Sequence, residues 1–493
     1  VVRSLLSNWN KKVMNGFRKP IKKFTMQLTD IKIKDRIVSY LEQNTEELFS
    51  NDPPAVATVR KNAVKKFIDQ GIPGRKLESW RNTDISSVLN QEFHCSPEPE
   101  SKRVNVESFF KCNMHSLDTL MVTTLNGYYV YHQDPIRELD NGVIVGSFAE
   151  AKAKYPGIVA EHFGTAASDD IDGMISMNTA LAGDGIFIYV PDNVVMDEAI
   201  QIVNLNNSDE RLLSNIRNLV VLGKSSKLTI VHCDDSYSKQ AAFCNTLTEF
   251  VVKENASLEH YKLQNLNNNT SLINQAFFNQ AANSRVLNIG MTLNGGLVRN
   301  YIHSSLTEPG CECDVMGLYL VDKTQHVDNQ VRINHDAPHC YSNELFKGLI
   351  DDQAKAVFNG HIKVKKDAQK TLAFQNSKNL LLTDKARAIA KPFLEIYADD
   401  VKCSHGATVG QLDDEALFYL RARGISEANA RMLLQYAFAA EVINEIKIDE
   451  LKDQIDDMVK KRLHGELDIC ETCVLHCKTK DREMEFPIDM SKI

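Results

Sequence analysis

The sequence lacks any apolar run of the roughly 18 residues that a helix needs to cross a bilayer. It also lacks an excess of positive charge, because 57 Lys and Arg residues stand against 65 Asp and Glu residues, for a net charge of −8. A chain with this balance is not expected to bind nucleic acid by general electrostatic attraction. The composition therefore predicts a protein of 493 residues, enough for two or three domains, with no affinity for membranes or nucleic acid.

Motifs for nucleotide binding and for common catalytic chemistry are also missing. Gly223-Lys224-Ser225 invites comparison with a P-loop, but that motif requires a glycine five residues before the Gly-Lys pair, where this sequence has Asn218. A strand is expected to follow, so no helix N-terminus would face a phosphate. No Gly-x-Gly-x-x-Gly, carboxylate pair or Ser/His/Asp set stands out. We therefore predict no ATP site and no catalytic residue in this chain.

Cysteine is present in a pattern that argues against a disulfide framework. The eleven cysteines are odd in number and are scattered through a long chain. This usage is typical of a reducing compartment, where thiols stay free for metal or redox chemistry. We predict a cytoplasmic protein.

The first 25 residues differ in charge from the rest of the chain. They contain seven Lys or Arg residues and no acid. Transit peptides have such a composition. Because the chain begins with Val1, the segment could instead be sequence upstream of a natural start at Met26. The second interpretation is favoured, and residues 1–25 are treated as a basic leader outside the fold.

Residues 26–180 are expected to form an N-terminal domain of helical and mixed structure. Apolar spacing predicts helices within residues 27–70. Residues 120–131 are expected to form a hairpin around Asn126-Gly127. Trp80 follows a Gly-Pro turn and is interpreted as an aromatic residue that pins its loop to the domain behind it.

Residues 181–400 are predicted to form a parallel β-helix. Short β-rich segments follow one another for about 200 residues with almost no helical pattern. The strands restart at Leu228, Leu258 and Val286, after polar turns that recur about every 26 to 30 residues. Such a repeat is typical of a solenoid of stacked strands. The prediction is a mainly β fold with a right-handed parallel β-helix core; a β-sandwich is the competing fold.

The chain returns to helices after the core. Residues 401–465 are predicted to form a C-terminal helical domain, with Asp413-Asp414-Glu415 at one helix start and Ser426 as the cap of the next. This domain is a plausible docking surface. Residues 466–493 form a cysteine-containing tail.

Cys403 and His405 are the first candidate site. A thiolate and an imidazole are suitable ligands for iron, zinc or cuprous copper. Residues two apart in a strand point to the same side, so both side chains could face one site. Two ligands do not complete a site, and another chain would have to supply the rest. The structural alternative is a buried cysteine and a hydrogen-bonded histidine at a domain junction.

Cys470, Cys473 and Cys477 are the second candidate site. Their spacing suits zinc or an iron–sulfur cluster, because three thiolates and one further ligand complete a four-coordinate shell. His464 and His476 lie nearby in the sequence. The alternative is three exposed, reduced cysteines.

Two further groups are interpreted as structural. The first consists of His326, His335, His339 and Cys340, and the residues around Pro338 argue for a loop between strands. The second is Cys311-x-Cys313. Polar residues at the corners of a β-helix usually satisfy backbone groups, so metal binding is not expected at either place.

One long segment carries a family signature. Its distinctive pieces are Phe358-Asn359-Gly360, Ala368-Gln369-Lys370-Thr371, Lys391-Pro392-Phe393-Leu394-Glu395-Ile396, Cys403-Ser404-His405-Gly406-Ala407-Thr408-Val409-Gly410-Gln411-Leu412-Asp413 and Leu420-Arg421-Ala422-Arg423-Gly424. The segment resembles the C-terminal signature of the SufB/SufD family of iron–sulfur cluster assembly scaffolds, and its SufD branch fits better. Glu78-Ser79-Trp80 and Thr83-Asp84 are similar to the N-terminal signature of the same branch.

The resemblance implies a scaffold subunit of a SufBCD-type complex. Such a subunit pairs with a SufB-like subunit and binds a SufC-like ATPase through residues 411–446, and it could form a homodimer without SufB. The resemblance assigns His405, with Cys403 beside it, to a cluster-assembly site at the partner interface. The iron–sulfur cluster would be transient and shared with the partner, and the chain would not be an enzyme by itself. No ferredoxin-type cysteine motif precedes the β-helix, which favours SufD over SufB.

Two other functions remain open from the sequence. The chain could be a stand-alone metal or iron–sulfur protein that uses Cys470, Cys473 and Cys477. It could also be a polysaccharide lyase or hydrolase built on a β-helix. Enzymes of that kind usually act outside the cell, and the abundant free cysteines count against it.

Overall fold

The computed structural model describes residues 33–91, 93–95, 119–131, 133–167 and 172–464. The basic leader at 1–25 and the tail at 466–493 lie outside these residues. Within the described ranges no helix is both long and apolar enough to span a membrane.

The N-terminal part contains short helices whose ends follow from the local sequence. Pro54 occupies the first turn of its helix, where its missing N–H costs nothing, and Gly71 ends that helix at φ +65°. The helices are α1 (Ile33–Leu48), α2 (Pro54–Gln70), α3 (Ser86–Leu89), α4 (Phe148–Lys154), α5 (Pro156–His162) and α6 (Gly173–Leu181), with a 3-10 turn at Glu78–Trp80.

Two sheets make up the solenoid. Sheet 1 contains β1 (His94–Cys95), β4 (Ile136–Glu138), β5 (Ile144–Ser147), β6 (Ile186–Val190), β8 (Leu212–Leu222), β10 (Ala242–Val252), β12 (Thr270–Gln280), β14 (Leu297–Leu306), β16 (His326–His335), β18 (Lys355–Val364) and β20 (Arg387–Ile396). Sheet 2 contains β2 (Thr119–Leu125), β3 (Tyr128–Val130), β7 (Ala199–Asn206), β9 (Lys227–Ser236), β11 (Ser257–Asn265), β13 (Arg285–Asn294), β15 (Glu312–Val321), β17 (Tyr341–Ile350), β19 (Leu372–Leu381) and β21 (Lys402–Gly410).

Consecutive strands from β6 onwards alternate between the two sheets, and neighbours within each sheet are parallel. Leu258 pairs with Leu228 on one side and with Val286 on the other, so the restart points seen in the sequence are stacked positions of successive turns. The solenoid has about eight turns. The predicted fold class is confirmed, and the parallel stacking excludes the β-sandwich.

The turns of the solenoid stack as regularly as the strands do. Ser225, Asn255 and Asn283 each adopt a positive φ, between 54° and 58°. Asparagine accepts this left-handed conformation more readily than most residues. Each of the three donates its backbone N–H to a carbonyl in the turn above, at 2.8 to 3.0 Å. Polar corners therefore satisfy the backbone between turns of the solenoid.

Alternation along each strand divides the side chains between the interior and the outer faces. In β9, Leu228 and Ile230 belong to the apolar cluster inside the solenoid, whereas Val231 and Cys233 belong to a second cluster outside sheet 2. Both faces of these strands are buried, although several of the buried side chains are polar. Stacked turns also stack their aromatic rings, and the ring centroids of Phe250 and Phe278 lie 4.5 Å apart.

The C-terminal helices cover the outer face of sheet 2. They are α7 (Asp414–Ala422), α8 (Glu427–Ile443) and α9 (Asp449–Leu463). The side chains of Asp413 and Ser426 accept backbone hydrogen bonds at the starts of α7 and α8, as predicted. Buried residues of α8 and α9 pack on sheet 2, whereas α7 has no buried residue.

The N-terminal helices cover the outer face of sheet 1. Trp80 is buried there; its Nε1 donates to Asp172 at 2.9 Å, and the guanidinium of Arg299 lies 3.9 Å from the ring centroid. Asp328 pairs with Arg299 and accepts a hydrogen bond from Thr83. The prediction that Trp80 pins its loop is confirmed.

Two boundaries differ from those expected. The sequence placed residues 401–410 in the helical domain, but Lys402–Gly410 is the last strand of sheet 2. Thr119–Leu125 pairs in parallel with β7 and so extends sheet 2 into the predicted N-terminal domain. Strand pairing joins residues that are far apart in the sequence, so the apolar pattern within a short stretch of residues does not reveal it. The loop expected around Pro338 is confirmed as a turn between β16, which ends at His335, and β17, which begins at Tyr341.

Candidate functional site

The last turn of the solenoid has two strands that are each paired on one side. Within the described part of the chain, β20 pairs with β18 alone and β21 pairs with β19 alone. The outer edge of each strand presents backbone N–H and C=O groups without a strand partner, an arrangement that readily accepts a strand from another chain. The solenoid is therefore open at this end.

Cys403 and His405 lie on β21 with their side chains on the same side. Their register partners on β19 are Ala373 and Gln375, both fully buried inside the solenoid. Cys403 is half-buried and packs against the interior cluster, whereas His405 is exposed. Their Cα atoms are separated by about 6.6 Å along the strand. The structure thus brings the two predicted residues together, at the open end of the interior.

The thiol of Cys403 is held in its protonated form. Burial raises the pKa of Cys403 above its ordinary value, and a hydrogen bond with the backbone of Ala373 opposes this only in part. A thiol binds metal as the thiolate, so a cation at this site has to displace the proton. Cys403 would therefore have to lose its proton before it could act as a metal ligand.

Two donors are too few for a closed metal site. The described residues contain no group of three or more His, Cys, Asp or Glu side chains placed to hold an ion. Zinc and iron–sulfur sites usually have four protein or substrate donors around each metal. The donor chemistry of Cys403 and His405 fits iron or a cluster, and the remaining ligands would come from outside the described residues.

Apolar side chains surround this open end. Phe393 on β20 and Tyr397 just after it are 54% and 58% exposed, and Val409 on β21 is 47% exposed. The next element along the chain, α7, exposes Phe418 by 74%. A cluster of exposed apolar side chains is typical of a protein interaction surface.

The histidine group is not a site in the structure. His326 and His335 lie at opposite ends of β16. His326 contacts the Thr83 hydroxyl at 2.9 Å, and His335 Nε2 contacts the Ser342 hydroxyl at 2.8 Å. His339 has a positive φ of 60° in the following turn.

The interior cysteines are buried within the solenoid wall. Cys311, Cys313 and Cys340 have at most 1% exposure. Burial raises the pKa of Cys313 to about 12, and its thiol contacts the Ser304 hydroxyl at 3.3 Å. The Cys311 thiol lies within hydrogen-bond distance of two backbone carbonyls, that of Glu308 in its own turn and that of Ala281 in the neighbouring turn. These contacts support the structural interpretation of the motif.

Cys470, Cys473 and Cys477 lie outside the described residues.

Sequence reasoning missed a set of polar side chains inside the solenoid. Lys262 donates to Asp234 at 2.8 Å, and His260 Nδ1 contacts the Asn288 side chain at 2.8 Å. Glu344 and Gln375 lie nearer the open end and are also fully buried. A charged residue in a strand normally indicates a solvent-facing position, so no sequence signal identifies these side chains as internal.

Comparison with known protein families shows which family this chain belongs to. Residues 204–438 match the family described as "SUF system FeS cluster assembly, SufBD core domain", and residues 31–202 match the "SufBD protein N-terminal region". The chain belongs to the SufBD family of iron–sulfur cluster assembly proteins. The family predicted from the segment around Cys403 and His405 is confirmed.

SufBD relatives resemble the chain over most of its length. The iron–sulfur cluster assembly protein SufD of Escherichia coli is 26% identical over 431 residues, which cover 86% of this chain and 97% of the relative. SufD of Bacillus subtilis is 28% identical over 66% of this chain and 75% of its own. Protein ABCI7, chloroplastic, of Arabidopsis thaliana is 28% identical over 86% of this chain and 90% of its own.

Proposed function

We propose that the chain is the SufD-type scaffold subunit of a SufBCD-type complex that assembles iron–sulfur clusters. The observation that carries the proposal is the placement of Cys403 and His405 together at the open end of the solenoid, on the edge strand β21. A cluster is cargo at such a place, because two donors hold it only while another subunit supplies the other ligands. The chain itself is a non-catalytic component that works in the cytoplasm.

The partner at the open end is a SufB-like subunit. An extended strand from that subunit would pair with the free edge of β21 or β20, and main-chain hydrogen bonds would provide much of the affinity. The exposed side chains of Phe393, Tyr397 and Val409 would be buried in the same contact. Without the SufB-like subunit, two copies of this chain could use the same surface in an isologous homodimer.

A SufC-like ATPase docks on residues 411–446. The exposed aromatic side chains of α7 support this assignment, because α7 buries none of its residues against the rest of the chain. Lys347 on β17 donates to the carbonyl of Phe438 at 2.9 Å and pairs with Glu441, so α8 is fixed to a strand two positions from β21. Movement of the helices by the ATPase would thus reach the strands that carry the site.

The chemistry required of this chain is ligand exchange. Cys403 loses its proton as metal binds, and His405 donates through a ring nitrogen in its neutral form. Exposure of His405 and partial burial of Cys403 permit the cluster to be held briefly and then passed on. ATP hydrolysis and sulfur delivery belong to the partner subunits.

The test compares two histidine substitutions in the complex purified from its native cell under anaerobic conditions. His405→Ala should leave the SufB-like and SufC-like subunits bound but should lower the yield of cluster, measured by absorbance and by iron and sulfide content. His94→Ala, on the short strand β1 far from the open end, is the matched control. Recovery of the chain without an ATPase, or an unchanged cluster yield in His405→Ala, would contradict the proposal.

A further inference from the structure

A buried carboxyl group lies in line with His405 inside the solenoid. Glu344 on β17 is the register partner of Gln375 on β19, and Gln375 is the register partner of His405 on β21. Glu344 and Gln375 have 0% exposure, while His405 is exposed. The three side chains therefore form one row on the interior face, which runs from the core to the open end.

Two buried oxygen atoms in this row have no hydrogen-bond partner. Gln375 Nε2 donates to Glu344 Oε2 at 2.8 Å. Glu344 Oε1 and Gln375 Oε1 are both buried and have no hydrogen-bond partner. A carboxylate and an amide oxygen are both acceptors, so an ionised Glu344 leaves both atoms unsatisfied. A proton on Glu344 Oε1 supplies a donor for Gln375 Oε1 and completes a ring of two hydrogen bonds.

The surroundings of Glu344 favour the protonated form. Burial raises the pKa of Glu344 to about 8, and the hydrogen bond from Gln375 opposes the shift. The titratable side chains that face this part of the interior from β15 and β16 are Cys313, Tyr319 and His335. Burial raises the pKa values of Cys313 and Tyr319 and lowers that of His335 to about 4, so all three are neutral near pH 7.

The Gln375 amide can occupy this position because Gly360 has no side chain. Gly360 lies on β18 of the opposite sheet, and a β-carbon there would be 2.1 Å from Gln375 Nε2. The amide thus extends across the interior into space that only glycine leaves free. Phe346 and Phe358, with ring centroids 4.8 Å apart, enclose the same region.

We propose that Glu344 and Gln375 form a neutral acid–amide pair that releases its proton when His405 takes up a metal cation. This inference rests on the proposed function, in which His405 is a ligand for iron. The exchange is balanced: one cation binds at the open end, the O–H bond of Glu344 breaks, the carboxylate stays in the core, and the proton passes to solvent. Glu344 lies two strand spacings, about 10 Å, from His405. At that distance in a protein interior a bound cation favours the carboxylate.

The test uses Glu344→Gln, which replaces the acid by an amide of the same shape. The substituted amide keeps one donor and one acceptor for Gln375 but has no proton to exchange. Glu259→Gln is the matched control, because Glu259 is a nearly buried carboxylate on the outer face of sheet 2. All proteins in the test also carry Cys470→Ser, Cys473→Ser and Cys477→Ser, so zinc cannot bind to the tail thiols.

The first measurement is the infrared carbonyl band of a protonated carboxylic acid in the complex near neutral pH. We expect Glu344→Gln to lose intensity in this band, while Glu259→Gln matches the parent protein. Equal intensity in all three proteins would overturn the acid–amide pair, whatever the role of His405.

The second measurement is the number of protons released when Zn²⁺ alone binds to the complex, from calorimetry in buffers of different ionisation enthalpy. The parent protein should release up to about one proton more per zinc than Glu344→Gln. Equal proton release by the parent protein and Glu344→Gln, with zinc uptake that still depends on His405, would refute the proton exchange and leave the proposed function intact. Zinc uptake that is unchanged in His405→Ala would instead overturn the proposed function, and the exchange with it.

Discussion

Cys403 and His405 differ in their contact with water although they are two residues apart on one strand. Cys403 packs against the interior cluster and has a raised pKa, whereas His405 is exposed. If the pair binds a metal as proposed, His405 is the donor that is open to solvent, and Cys403 has to lose its proton before it can bind.

The pH dependence of stability should report the buried acid Glu344. Its pKa is about 8 in the folded chain and about 4.5 when unfolded, so the folded state holds the extra proton between these values. Stability from this group is highest below about pH 4.5 and falls as pH rises to about 8, by up to a few kcal/mol. Urea unfolding of Glu344→Gln should show a smaller loss of stability between about pH 5 and about pH 9. Parallel curves for the two proteins would contradict the raised pKa.

Gly360→Ala should separate the acid–amide pair. The new β-carbon would meet Gln375 Nε2 at 2.1 Å, so the amide has to move and the variant should lose about 1–3 kcal/mol of unfolding free energy. Gly290→Ala is the matched control on an interior strand, because its β-carbon would meet nothing closer than Met316 O at 3.9 Å. Urea denaturation measures both variants. A loss in Gly290→Ala as large as that in Gly360→Ala would contradict the close approach.

At the scale of the elements, neighbouring strands and helix α8 fix the position of strand β21, which carries Cys403 and His405. Strand β21 takes its position from a single neighbour, β19, while α8 fixes β17 through Lys347. A last strand held on one side is stable only if the neighbouring turns are rigid, and the turns below it are packed on both faces. The edge can therefore stay exposed without unfolding the rest of the solenoid.

Val409→Lys should weaken association with the SufB-like subunit. Val409 is 47% exposed on β21, and a charged side chain at an edge strand opposes pairing with another strand. We expect the dissociation constant to rise about tenfold or more, as for a loss of about 1.4 kcal/mol at an interface. Val195→Lys is the matched control, because Val195 is 54% exposed and lies near the opposite end of the solenoid. Equal binding by both variants in a titration would show that β21 is not the contact.

At the scale of the whole molecule, the proposed function uses two separate surfaces of the solenoid. In that proposal the helices on the outer face of sheet 2 receive the ATPase, and the open end receives the partner and the cluster. The N-terminal helices close the other outer face through Trp80 and Arg299. In the described part of the chain, helices thus lie on the outer faces of both sheets, whereas strands β20 and β21 are each paired on one side only.

The tail cysteines should not be needed for cluster assembly at the open end. A variant with Cys470→Ser, Cys473→Ser and Cys477→Ser should retain its partners and the cluster yield that depends on His405. Anaerobic reconstitution with iron and sulfide, followed by absorbance and metal analysis of the complex, measures this yield. Loss of all cluster absorbance in the variant would favour the tail as the site and a stand-alone metal-binding function.

The sequence by itself determined the family and the β-helix, and it supplied the prediction of a site at Cys403 and His405. These features depend on local information: a repeated turn at Leu228, Leu258 and Val286, and residue types at fixed spacing in one segment. Boundaries were less secure: Lys402–Gly410 was grouped with the C-terminal domain, although Cys403 and His405 were expected in a strand, because an isolated polar strand has little apolar pattern.

Only the tertiary structure decided which polar residues are internal and which of them face His405. Glu344 and Gln375 are 31 residues apart in the chain and become neighbours through strand register. Register follows from the stacking of complete turns, and a shift of one residue would turn each side chain to the other face. The open end is likewise a property of the folded chain, because an unpaired edge exists only once every other strand has found its partner.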